Sequence, residues 1–132
     1  MSKSDYLENQ MLDIVLGDGT FANPATVYVA LHTADPTDAG NGAEVSGNNY
    51  ARVAVTNNAT NWPNASGGAK ANGTAINFAT PSGSWGTVTH FGIWDAVTTG
   101  NLLYYGALTV PQAITTGNAV SFAAGDIDIT EA

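Results

Sequence analysis

The pattern of hydrophobic and polar positions changes period once, near residue 20. Before that point Leu7, Met11, Ile14 and Val15 recur at helical spacing, and Leu12 and Leu16 widen the same face. The spacing predicts a helix over residues 4–16. Ser4 or Asp5 can cap it, and Asp5 and Glu8 sit near the positive end of its dipole. Gly17 is the expected stop, with Asp18-Gly19 as the turn after it. Such a helix either lids a core or docks on a neighbouring subunit as an arm, and the lid is the preferred reading.

From Phe21 onward the period is two. Val27, Val29 and Leu31 alternate within residues 26–33, and further strands are expected at 50–55, 75–78, 85–94, 101–108, 112–115, 119–122 and 126–130. In the 85–94 segment strict alternation places Val88, His90, Gly92 and Trp94 on one face and Phe91 and Ile93 on the other. The loops between are long and polar, at 34–49 and 56–74, with Trp62-Pro63 as an apolar anchor in the second. About seven or eight short strands with frequent turns predict a mainly β chain, an antiparallel β-sandwich or jelly-roll behind one N-terminal helix. The expected division is a helical segment over 1–20 and a β-sandwich domain over 21–132.

Composition narrows the function. At 132 residues the chain buries roughly two thirds of its unfolded surface without a staple. It contains no cysteine, so neither disulfides nor thiolate chemistry enter. Three basic residues, Lys3, Arg52 and Lys70, face eleven acidic ones, for a net charge of −8. That balance excludes a nucleic-acid partner, which needs phosphate neutralisation, and an anionic membrane surface. No apolar run of about 18 residues is present, and the opening residues lack a signal-peptide core, so synthesis in the cytoplasm without export by the usual route is expected.

Candidate chemistry is thin. His32 and His90 have no G-x-S-x-G elbow nearby, and no catalytic residue is assigned. The loop from Asp35 to Glu44 concentrates carboxylates but lacks EF-hand spacing, so Asx-turns are preferred to calcium and neither metal nor cofactor is expected. Trp62, Trp85, Trp94, Tyr104 and Tyr105 could stack on sugars, with Trp62 best placed for an external contact and Trp94 better read as core. Partner contacts are expected from Leu7 and Met11 of the N-terminal segment and from Tyr50 and Trp62 of the loops. Sparse charge and aromatic loop anchors suit an interface.

Four stretches carry a resemblance: YLENQMLDIVLG at 6–17, TVYVALHTADPTDAGNGAEVSGNNYARVAVT at 26–56, GTVTHFGIWDAVTTGNLLYYGAL at 86–108 and VSFAAGDIDIT at 120–130. Together they resemble a family of small bacteriophage virion structural proteins, of the tail-fibre-like, minor structural or capsid-decoration kind. The resemblance implies a place in the virion and no enzymatic activity. An acidic chain is repelled by packaged genome, which favours the outside of the shell. The expectation is therefore a decoration (cement) protein on the major capsid protein, as a homo-oligomer with a trimer favoured. A tail or tail-fibre component that touches host glycans is the alternative.

Overall fold

The computed structural model describes residues 2–131. Met1 and Ala132, the outer limits of the two expected segments, lie outside the described residues. The architecture is mainly β, with one helix and nine strands among the described residues, all paired antiparallel. In chain order they are β1 (Ser2–Lys3), α1 (Asp5–Val15), β2 (Thr26–His32), β3 (Val53–Thr56), β4 (Ala69–Ala71), β5 (Ile76–Asn77), β6 (Gly86–Trp94), β7 (Leu102–Ile114), β8 (Ser121–Phe122) and β9 (Asp128–Thr130). One five-stranded sheet runs β1-β7-β6-β2-β3, and two short ribbons, β4-β9 and β5-β8, face it.

The sandwich core lies between sheet and ribbons. Val27, Val29 and Leu31 of β2, Phe91 and Ile93 of β6 and Leu103 and Ile114 of β7 meet Ile76, Phe78, Trp85, Ile127 and Ile129. The alternation along β2 thus predicts its core face correctly. Its other face is covered too, by a smaller cluster of Ala30, Trp94 and Leu102. The loop 34–49 packs there. Pro36 is buried, and a side chain at Gly40 would meet Leu102 and Trp94 at 3.0 and 3.3 Å. A strand buried on both faces reads as a near-continuous apolar run, as Val27-Tyr28-Val29-Ala30-Leu31 does.

Three expectations are corrected. Residues 101–108 and 112–115 form one strand, β7, because a bulge carries the chain past Pro111, whose missing N–H is tolerated there. In that bulge Thr89 alone stands opposite Leu108–Pro111, since Val88 pairs with Gln112 and His90 with Ala107. The irregularity also shifts the side-chain phase. Val88 joins Phe91 and Ile93 in the main core, while Trp94 lies on the opposite face. Finally, the 56–74 stretch is not all loop, because β4 pairs within it against β9.

Residue Ser4 is the helix N-cap. Its Oγ accepts from the Leu7 N–H at 3.2 Å and donates to the Leu102 carbonyl, tying the helix start to β7. The segment before it adds β1 to the edge of the main sheet. The helix ends two residues before Gly17. Gly19 is the residue that turns back, donating to the Asp13 carbonyl at a place where a Cβ would come within 2.9 Å of that oxygen.

Candidate functional site

Three regions carry the features from which a partner or ligand site could be built. The first is α1 itself. Its opening turn is anchored by Ser4, and Leu7 alone of its residues is buried. The lid expectation therefore holds for one turn only. Met11, Leu12, Ile14, Val15 and the C-capping Leu16 are exposed. Leu7 and Met11 line a cleft of about 240 Å³ with Phe21, Trp62, Tyr104 and Ile129, and Lys70 stands at it.

Trp62 is corrected as an external anchor. Asn58 makes an Asx-turn, its Oδ1 accepting from the Thr60 and Asn61 N–H groups, and its carbonyl accepts from the Trp62 N–H at 2.9 Å. That turn swings the indole inward, where Trp62 is buried in the main core with its Nε1–H unpartnered. Trp85 and Trp94 are buried as well, so the tryptophans form no surface platform for sugars. Tyr50 also points in. Its ring packs edge-on to Trp85 at 5.3 Å and stacks on Phe78, while its hydroxyl accepts from the Leu31 N–H and donates to Glu44. Of the four residues expected at an interface, Leu7, Met11 and Trp62 converge on one cleft, Tyr50 lies elsewhere, and Met11 is the exposed one.

The second region is a polar network under the 34–49 loop. Arg52 holds Glu44 in a two-pronged pair, Nε to Oε1 and Nη2 to Oε2, both at 2.8 Å. Its Nη1 donates to the Ala96 and Thr99 carbonyls, and its guanidinium lies 4.1 Å from the Trp94 ring centroid. Burial alone would raise the Glu44 pKa; the hydrogen bonds from Arg52 and Tyr50 outweigh it and leave the carboxyl below its ordinary value. Beside it, His32 is buried, with Nδ1 2.6 Å from the Gly42 carbonyl and Nε2 without a partner. The contact to a carbonyl fixes the Nδ1–H tautomer. Burial pushes the His32 pKa down despite that hydrogen bond.

A pH prediction follows from His32. Its folded pKa lies below the unfolded value of 6.5, so the unfolded chain takes up the proton first. Stability is complete above that value and falls as pH drops below it. Melting temperature measured from pH 7.5 to 5.5 should decline in the wild type and stay flatter in His32→Asn. Equal slopes would show that His32 does not govern this range. Glu44 adds a second loss at lower pH, below its ordinary 4.5.

The Asp35–Glu44 carboxylates go to separate partners. Asp35 caps the Thr37 N–H at 2.8 Å, Asp38 accepts from the Tyr105 hydroxyl, and Glu44 pairs with Arg52. Among the described residues no group of three or more acidic or histidine side chains is disposed to hold a metal ion. His90 bonds its neighbour Thr89 at 2.8 Å.

The third region is a cleft of about 520 Å³ between the β7 bulge and β8. Phe91, Leu108 and Phe122 give it apolar walls, and Gln112, Asn118 and Asp126 add amides and a carboxylate. Sequence reasoning missed it, because it exists only where Leu108–Pro111 bow away from β6.

A protein-family model described as Podophage GP4 fiber I protein gp80 matches residues 2–130, nearly the whole chain. The chain belongs to this family. No curated protein matches it. As a member of a phage fibre family it is a structural protein of the virion, associated with other virion components. The fibre description favours the tail or tail-fibre alternative over capsid decoration. Among the described residues no helix is long and apolar enough to cross a membrane.

Proposed function

We propose that the chain is a tail-fibre-associated structural subunit that works by shape-matched contact rather than by chemistry. The family match over residues 2–130 carries this reading. The fold is consistent with it: most polar groups of the interior are spent on holding loops, as in the Arg52–Glu44–Tyr50 network. Purified particles, split into heads and tails and analysed by mass spectrometry, should yield the chain with the tail fraction. Recovery with heads alone would overturn the reading in favour of a decoration protein.

The cleft beside the β7 bulge favours a second role, contact with host glycans. Sugars are held by amide and carboxylate groups over an apolar floor, and Gln112, Asn118, Asp126 and Phe122 are of those types. Binding to fragments of host surface polysaccharide should be detectable and should weaken about tenfold in Gln112→Ala, the loss of roughly one charge-free hydrogen bond. Absence of binding by the wild type removes this role.

A further inference from the structure

The C-terminal half of α1 is the most conspicuous unpartnered surface of the molecule. Leu12, Val15 and Leu16 are 58, 68 and 80 % exposed, and Met11 and Ile14 lie beside them. Single exposed apolar side chains are ordinary, whereas a contiguous group on a surface helix marks a contact. Through Met11 this group continues into the cleft lined by Leu7, Phe21 and Trp62.

The electrostatics around the patch identify the kind of occupant. Asp13 and Asp18 flank it, and Asp5 and Glu8 stand one to two turns back. The last helical turn carries no basic residue, so the negative end of the helix dipole is uncompensated. A second copy of the chain is poorly suited to cover such a surface. Each copy carries −8, Arg52 is buried against Glu44, Lys3 is paired with Glu131, and Lys70 alone remains unpaired among the described residues. Two acidic helices brought together would repel.

We propose that the exposed face of α1, from Met11 to Leu16, docks into an apolar furrow rimmed by Lys and Arg on a different protein of the virion. This inference rests on the virion reading given above. The apolar side chains supply the buried centre of the contact, and Asp13 and Asp18, with the free carbonyls of the helix end, meet the basic rim.

The test uses particles assembled with variants of the full chain. Leu12→Gln/Val15→Gln replaces two exposed apolar side chains by neutral polar ones that suit a helix, so it should leave the melting temperature of the isolated protein near that of the wild type. Its incorporation into particles should fall at least about tenfold, the effect of losing one strong interface anchor. Asp13→Lys/Asp18→Lys, which reverses the charge and keeps the apolar face, should lower incorporation as well. A photo-crosslinking side chain at position 16 in wild-type particles should attach to a basic, apolar-centred segment of another virion protein. Normal incorporation of either variant, or a crosslink to a second copy of the chain, would overturn the proposal. Absence of the wild-type chain from particles would instead defeat the virion reading on which it rests.

Discussion

Replacing Arg52 with alanine should lower the unfolding free energy by about 3–5 kcal/mol, the cost of leaving one partner of a mostly buried ion pair without the other. The side chain is 5 % exposed and serves three pieces of the structure at once. It binds Glu44 of the 34–49 loop, the carbonyls of Ala96 and Thr99 in the β6–β7 turn, and the face of Trp94. Alanine leaves a half-buried carboxylate without its cation, with the Tyr50 hydroxyl still donating to it, and takes the arginine donor from two carbonyls. Lysine should not rescue, because a single ammonium cannot reproduce the planar fork or its stacking on the indole. Urea unfolding at neutral pH checks this, and the melting temperature should drop by roughly 10 °C or more. A loss under about 1 kcal/mol, the value of a surface pair, would mean that the loop holds its place without the arginine.

The second large effect is expected at Asn72, which lies just after β4 and is nearly fully buried. Its Nδ2 donates to the Thr74 and Ala123 carbonyls, at 2.8 and 2.9 Å, and its Oδ1 accepts from the Ile127 N–H at 2.9 Å. One amide thus satisfies three backbone groups on two chain segments and sets Ile127, fully buried, into the core. Asn72→Ala should cost about 3 kcal/mol, since each buried group left unpaired costs about 1–3 kcal/mol. Asn72→Asp should be worse at neutral pH. It keeps the acceptor for Ile127 but turns a carboxylate toward two carbonyls that need donors. Equal stability of the alanine and aspartate variants in urea would contradict this account.

Much of the β architecture is legible in the sequence. Val27, Val29 and Leu31 announce the core face of β2, and Ser4 announces the helix start. What is not legible depends on partners distant in the chain. Ser2–Lys3 and Ala69–Ala71 have no alternation of their own and become strands because β7 and β9 offer them an edge. The bulge at Leu108–Pro111 inverts the face of Val88, and no local pattern marks it. The polar composition of 34–49 suggests a free loop, yet the loop covers a sheet face because Arg52, Tyr50 and His32 satisfy its polar groups.

The candidate site was legible in part for the same reason. Periodicity identifies the apolar face of α1, with Leu7 and Met11 on it, but not how far the helix stays in contact with the sheet. Trp62 and Tyr50 are aromatic residues in polar surroundings, a pattern that suits an exposed anchor and equally a buried loop pin. The Asn58 turn and the Tyr50 hydroxyl contacts decide for the pin.

As a fibre-type structural part of the phage particle, this fold should be visible in a density map of the whole particle. The five-stranded sheet with its two ribbons should fit density in the tail-fibre assembly, with α1 covered by a neighbouring protein. Density for the fold on the outer face of the head, bridging capsid subunits, would contradict this placement.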